Sequence, residues 1–313
     1  MNRCLYCYEE MGDGKDFHDK CSKKIFGIKT PPKINYTLKE IYKLGKTVVE
    51  KRITVPGVQT KLSLELKKES QNISKLTIVG LWGNYILKPQ SNDYKQLPEN
   101  EDLTMHLASI FKLNVVDHSL IKLKDNSFAY ITKRIDRINN KKVHMEDMCQ
   151  LTERLTEDKY KGSLEQIDKV IKKHSTNPMF DTIQFFESVL FSFLTGNSDM
   201  HLKNYSLIEE GNNIKIAPFY DLLSTRLVIS EKLDSEEFAL TMRGKKKKIS
   251  LASFYEFGKS IKMNERQIEN VFNGFSKNLK PAIELVDKSF LTKALKESYK
   301  ELLFSRAKTM ELN

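Results

Sequence analysis

The spacing of apolar residues changes character near Arg137. Before it the pattern is mostly that of strands, and after it mostly that of helices. Residues 61–66 read Lys-Leu-Ser-Leu-Glu-Leu, which puts the leucines on one face of a half-buried strand. Residues 82–88 predict a second strand stopped at Pro89, and residues 119–124 and 127–132 a hairpin across Asp125-Asn126. Leu103, Leu107, Ala108 and Phe111 recur at helical spacing within 101–111. A shorter helix is predicted over 37–50, after a Pro31-Pro32 step that reads as a linker. Beyond Arg137, residues 181–194 predict an apolar helix, and 205–208 with 214–217 a hairpin turning at Glu210-Gly211-Asn212-Asn213. Residues 251–313 predict two or three amphipathic helices, two of them separated at Pro281. A β-rich first half and an α-rich second half imply a bilobal α+β protein with a cleft between lobes. The expected divisions are a short Cys/His unit over 1–30, an N-lobe over 31–137 and a helical C-lobe over 138–313.

Composition narrows the class. Of 313 residues, 40% are hydrophobic and 30% charged, enough apolar material to exclude wholesale disorder. Four cysteines in a chain of this length exclude a disulfide-stapled scaffold. The first ten residues carry cysteines and acids where a signal peptide would be apolar. The apolar run at 185–194 is short and contains Glu187, so no membrane span is expected. A soluble, cytoplasmic protein is the expectation. The net charge of +11 suggests nucleic acid until it is resolved by segment: residues 1–61 hold +6 of it, whereas 141–250 are balanced. That distribution fits attraction of a nucleotide or an acidic partner as well as DNA.

The densest chemistry lies in Gly196-Asn197-Ser198-Asp199-Met200-His201-Leu202-Lys203-Asn204, an Asp-x4-Asn run after the apolar helix and before a hairpin that closes at Pro218-Phe219-Tyr220-Asp221. Phosphoryl transfer needs this set: one carboxylate to take the proton of the attacking hydroxyl, and an Asn and a second carboxylate to hold Mg2+. Upstream, Lys88 ends a predicted strand where a phosphate-binding lysine would stand. A helix follows with Glu101 as its ion-pair partner and Glu99 as the competitor. Thr54-Val55-Pro56-Gly57-Val58-Gln59-Thr60-Lys61 precedes the first strand, either as a phosphate-covering loop or as an ordinary turn. At the N-terminus, Cys4-x2-Cys7-x10-His18-x2-Cys21 places three thiols and an imidazole at spacings suited to tetrahedral Zn2+; reduced cysteines without metal are the alternative.

These pieces, in this order, resemble the HipA family of bacterial toxin–antitoxin serine/threonine kinases. Gly57 to Leu62 resembles its Gly-x-Gln-x-Lys loop. Ile86-Leu87-Lys88-Pro89 resembles its ATP-lysine strand, and Asn100-Glu101 the start of its following helix. Lys133-Arg134-Ile135-Asp136-Arg137 resembles its hinge, and Gly196 to Asn204 with Pro218 to Asp221 its catalytic loop and metal motif. The resemblance implies a protein-kinase-like fold using ATP and Mg2+. Asp199 would be the catalytic base, with Asn204 and Asp221 on Mg2+ and Lys88 on the α- and β-phosphates. Gly57, Gln59 and Lys61 would cover the phosphates, and Lys133 and Ile135 would offer backbone groups to adenine. Asp136 and His201 would lie near ribose and phosphates, although His201 serves equally well as loop packing. Thr54 matches the family's autophosphorylated hydroxyl, but Pro56 departs from a small residue there.

The family's longer members carry a β-rich subdomain before this loop, whereas about fifty residues precede it here. The chain is thus similar to the short HipT-like form, which implies a separate small protein supplying that subdomain. The resemblance further implies a HipB-like helix-turn-helix antitoxin, DNA contact only through it, no membrane, and a translation-linked protein substrate such as an aminoacyl-tRNA synthetase. Other readings are a catalytically weak corepressor, direct DNA binding by residues 1–61, and a small-molecule kinase, since fold does not fix substrate.

Overall fold

The structure is a computed structural model describing residues 2–12, 14–50, 61–68, 74–79, 83–138 and 141–312. Thr54, Gly57 and Gln59, and with them the expected phosphate loop, lie outside the described residues, as does Trp82 at the start of the expected second strand. The backbone forms two compact units. The first comprises Met1–Asp102, Val116–Asn140 and Lys288–Leu291; the second comprises Leu103–Val115, Lys141–Asp287 and Thr292–Asn313.

The first unit is built on a five-stranded sheet in the order β2-β1-β3-β5-β4, with β1 Leu62–Lys68, β2 Ser74–Val79, β3 Tyr85–Pro89, β4 His118–Lys122 and β5 Phe128–Lys133. All neighbours are antiparallel, with Leu62 opposite Leu87, Leu87 opposite Ile131 and Leu120 opposite Tyr130. The leucine alternation in β1 buries Leu62 and Leu64 as expected. They join Leu87, Leu120 and Ile131 in a core that also takes Cys4, Leu5, Phe17, Cys21, Ile25 and Phe26. The Cys/His segment with its helix α1 (Asp19–Phe26) therefore shares the core of the sheet. Leu5 fixes it there: its carbonyl accepts from Leu120 N at 3.3 Å and from Ser119 Oγ at 3.0 Å. Two helices, α2 (Leu38–Glu50) and α3 (Leu97–Ile110), follow in the chain.

The expected linker at Pro31-Pro32 does more than connect. Lys33 N donates to Ser74 O at 3.2 Å and Leu76 N donates to Lys33 O at 3.0 Å, a parallel bridge on the edge of β2. Proline holds the preceding chain extended, a conformation that suits edge addition. A return of the chain completes the unit. Phe290 stands edge-on to Tyr8 at 5.2 Å and to Phe128 at 5.5 Å, and its carbonyl accepts from Gln96 Nε2 at 3.4 Å.

The second unit is organised around α6 (Pro178–Thr195), whose aromatic positions Phe185, Phe186, Phe191 and Phe193 are all buried. Helices α5 (Leu164–His174) and α9 (Lys293–Thr309) pack against it. Phe186 also stacks on Phe257 of α7 (Leu251–Ser260) at 5.8 Å. The expected break at Pro281 does not occur: α8 runs unbroken from Glu265 to Lys288. Pro281 lies on the exposed face, as does Lys277, whose carbonyl loses its helical donor to the ring nitrogen. Water can meet that carbonyl, while Phe272, Phe275, Leu279, Ala282 and Val286 hold the buried face. A three-stranded antiparallel sheet completes the unit, Met145–Asp147 pairing with Ser206–Glu210, which pairs with Asn213–Ile216. Among the described residues, no helix is long and apolar enough to cross a membrane.

Candidate active site

In the first unit, β3 carries Lys88 at its buried end, 3% exposed, opposite Tyr130 of β5. A lysine ammonium at that depth needs a carboxylate. Glu101 on α3, itself 1% exposed, supplies it by accepting from Lys88 Nζ. The ammonium also lies 5.4 Å from the Tyr130 ring centre, within cation–π range. Of the two expected candidates, Glu101 is the one that lies against the ammonium. Glu99 accepts instead from Gln96 Nε2 at 3.4 Å, and burial pushes its carboxyl above the ordinary range.

Downstream of β5, Asp136 receives Arg134 through two bonds, Nε at 2.8 Å and Nη2 at 2.7 Å, and Arg137 Nη1 at 2.7 Å. Burial works to raise its carboxyl, but the two guanidiniums outweigh that and hold it below the ordinary value. The Lys133 N–H donates to Asp117 O at 2.9 Å; Ile135 follows, half-buried. Lys61 is exposed immediately before β1.

In the second unit, α6 ends in Gly196 at φ 64, the left-handed conformation that glycine adopts without strain. A Cβ there would stand 2.8 Å from Arg226 Cγ and 2.9 Å from Leu302 Cδ2. Gly196 O accepts from Thr225 Oγ1 at 2.9 Å and Arg226 N at 3.1 Å, so the loop leaves the helix at a fixed angle. Asn197 Oδ1 then accepts from Asp199 N at 3.2 Å, and Asp199 O accepts from His201 N at 2.8 Å. A single turn, Leu202–Asn204, brings Asn204 back over the loop, where its Nδ2 donates to Asp199 O at 3.0 Å. With the donor end so placed, Oδ1 is the end suited to a metal. Burial lowers the His201 imidazole, which Asp199 opposes; its Nδ1 is buried without a hydrogen-bond partner among the described residues.

The hairpin leads to Tyr220, whose hydroxyl donates to Lys203 O at 3.0 Å and lies 2.6 Å from Ser206 Oγ. Asp221 follows at φ 61, an uncommon conformation for a residue with a Cβ. Lys203 is held by Asp147 at 2.6 Å, and Asp147 also caps α4 (Met148–Leu151). Asp147 therefore braces the loop from the neighbouring strand, while Glu146 lies 3.0 Å from His144 Nε2.

Two contacts of Tyr160 were not legible as motifs. Tyr160 donates its hydroxyl to Asp199 Oδ1 at 2.8 Å and stands edge-on to the His201 ring at 5.1 Å. Burial, with the Asp199 charge second, keeps the phenol well above its ordinary value, so it stays a donor. At the other end of the chain, Cys4, Cys7, His18 and Cys21 bring their four ligand atoms within 4.8 Å of one another. None of the four cysteines is in a disulfide. Nothing in the spacing of 39 residues between Tyr160 and Asp199 announces their contact.

A lysine–glutamate pair on β3 and α3, with an Asp-x4-Asn loop and a hairpin-borne Asp, defines a protein-kinase-like architecture. The family described as the HipA-like C-terminal domain matches residues 53–283, and the chain belongs to it. A Haemophilus influenzae protein named "Putative kinase" is 30% identical over 245 residues, 69% of each chain. The Shewanella oneidensis "Serine/threonine-protein kinase toxin HipA" is 28% identical over 193 residues, 55% of this chain and 43% of that one. The solved complex of Shewanella oneidensis HipA and HipB with operator DNA matches with a TM-score of 0.70 at 20% identity, over 89% of this chain and 72% of that one. At that identity the match speaks for the fold.

Proposed function

We propose that this protein is a HipA-like toxin kinase that transfers the γ-phosphate of ATP to a serine or threonine of a host protein. The observation that carries the reading is the buried Lys88–Glu101 pair. Lysine is costly to bury, and this one is held by a carboxylate from the helix that protein kinases use for it. Lys88 binds the α- and β-phosphates, while Asn204 Oδ1 and the Asp221 carboxylate hold Mg2+, which neutralises phosphate charge when bound. Asp199 takes the proton of the acceptor hydroxyl as its oxygen bonds to the γ-phosphorus and the bond to ADP breaks. The Lys133 carbonyl and the Ile135 backbone contact adenine. Asp136, committed to two arginines, orients them, and His201 packs behind the base. Gly57, Gln59 and Lys61 cover the phosphates, with autophosphorylation at Thr54. The N-terminal Cys/His tetrad holds Zn2+ as a structural metal.

The reading extends to a growth-arresting toxin neutralised by a HipB-like helix-turn-helix antitoxin that carries all contact with DNA. It is supported by family membership and by the solved HipA–HipB–operator complex of similar fold. The acceptor is a translation-linked protein. The test is phosphoproteomics after inducing wild type and Asp199→Ala. We expect a Thr54 phosphopeptide and one dominant host phosphoprotein with wild type alone. Identical phosphoproteomes would refute the kinase; if operon repression also survives, a corepressor role takes its place.

A further inference from the structure

We propose that Cys4, Cys7, His18 and Cys21 hold one Zn2+ and that this metal knuckle positions the Lys88–Glu101 pair through Tyr8 and Asp102. The metal half stands on geometry alone, and the positioning half deepens the kinase reading and rests on it.

Tetrahedral zinc with Zn–S near ~2.3 Å and Zn–N near ~2.0 Å sets sulfur–nitrogen edges of about 3.5 Å and sulfur–sulfur edges of about 3.8 Å. Cys7 Sγ and Cys21 Sγ lie 3.4 Å and 3.8 Å from His18 Nδ1. The imidazole is already set for this role. His18 Nε2 lies 3.1 Å from Glu10 O, and a carbonyl only accepts. Nε2 therefore carries the proton and Nδ1 turns its lone pair to the thiols, the second-shell arrangement of metal-bound histidine. Backbone bonds also shape the loop: Cys4 N donates to Glu9 O at 2.9 Å and Tyr8 N to Cys4 O at 3.0 Å. His18 caps α1 and accepts from Cys21 N at 2.9 Å, fixing the second pair of ligands. Binding displaces three thiol protons to solvent and leaves a zinc–tris-thiolate–imidazole centre.

Tyr8 links the knuckle to the ATP lysine. It follows Cys7 directly, is 0% exposed and sits at φ 62, where a side chain with a Cβ is strained by roughly 1–3 kcal/mol. The strained turn aims its hydroxyl into the unit, where it donates to Asp102 Oδ2 at 2.7 Å. The other oxygen, Oδ1, is 2.7 Å from His118 Nδ1 on β4. Asp102 is fully buried and adjacent in sequence to Glu101, the partner of Lys88. The knuckle and β4 thus grip α3 one residue from the carboxylate that orients the ammonium. Losing the metal releases the turn, Tyr8 leaves the left-handed conformation, and a buried carboxylate loses one of its donors. Tyr8 and Asp102 are positioning residues, since neither touches nucleotide.

The test uses the full chain purified under reducing conditions without chelator. Wild type should carry one zinc per chain by elemental analysis, and Cys7→Ser should lose it. Tyr8→Phe should keep the zinc yet weaken MgATP binding about 5- to 10-fold and speed amide exchange in α3. The double variant Cys7→Ser/Tyr8→Phe should be no worse for MgATP than the poorer single one, because both act along one path. Zinc well below stoichiometry in wild type overturns the metal site. Full zinc with unchanged α3 exchange in Tyr8→Phe overturns the positioning. If wild type binds no MgATP at all, the kinase reading fails, while zinc content and α3 exchange still decide this one. Should Cys7→Ser not fold, wild-type zinc and Tyr8→Phe suffice.

Discussion

At the scale of single residues, Tyr160 is the informative one. Its hydroxyl donates to Asp199 Oδ1, so under the proposed kinase reading an acceptor hydroxyl would compete with it for that carboxylate. The residue is 45% exposed, and the contact is worth about 1 kcal/mol at such a position. Tyr160→Phe should therefore lower KM for the protein acceptor about fivefold with little change in KM for ATP, as initial-rate kinetics would read. An unchanged acceptor KM would mean that the phenol moves aside at no cost. Asp199, Asn204 and Asp221 stand out by their order in the chain, an Asp-x4-Asn run followed by an Asp at the close of a hairpin. Tyr160 and Tyr8 could not. Each acts across a long sequence separation, and an isolated tyrosine carries no spacing signal.

Among the elements, α6 does two jobs, core and support for the catalytic loop, and Glu187 sits within it. Burial raises its carboxyl to about 7 from 4.5. The folded protein then binds more protons than the unfolded chain between those values. The group's stabilisation is complete below about pH 4.5 and is lost as pH rises through 7. The difference is on the order of 3 kcal/mol. Glu187→Gln, permanently neutral, should match wild type at pH 4.5 and melt several degrees higher at pH 8. Parallel Tm–pH curves for the two proteins would contradict this. The elements best legible beforehand were those with one clean periodicity: β1 from its alternating leucines, α6 from its apolar run, and the hairpin of β4 and β5 from its turn residues. β2 lies at the sheet edge, alternates over only Lys75 to Ile78, and buries Leu76 alone. Pro281 misled because a proline excludes a helix only where the orphaned carbonyl cannot reach water.

At the scale of the whole molecule, two units imply two separable responses to damage. Gly196→Ala forces a Cβ into Arg226 and Leu302 at a positive φ, a cost of roughly 1–3 kcal/mol borne by the second unit. Phe290→Ala removes a ring from Tyr8 and Phe128 and should cost about 2–3 kcal/mol in the first. Hydrogen exchange resolved by peptide should show each variant loosening its own unit, with fast exchange along β1–β5 only for Phe290→Ala. Loosening of both units by either variant would show one cooperative body.

The chain's return at Phe290 also has a consequence in time. Most of the first unit is made by Asn140, yet the aromatic wedge that closes on Tyr8 comes 150 residues later. At about 5–20 residues per second, the ribosome needs roughly 8–30 s to supply it. Through that interval the early half of the protein exists with its core open. It is finished only once Phe290 has been made and can reach Tyr8.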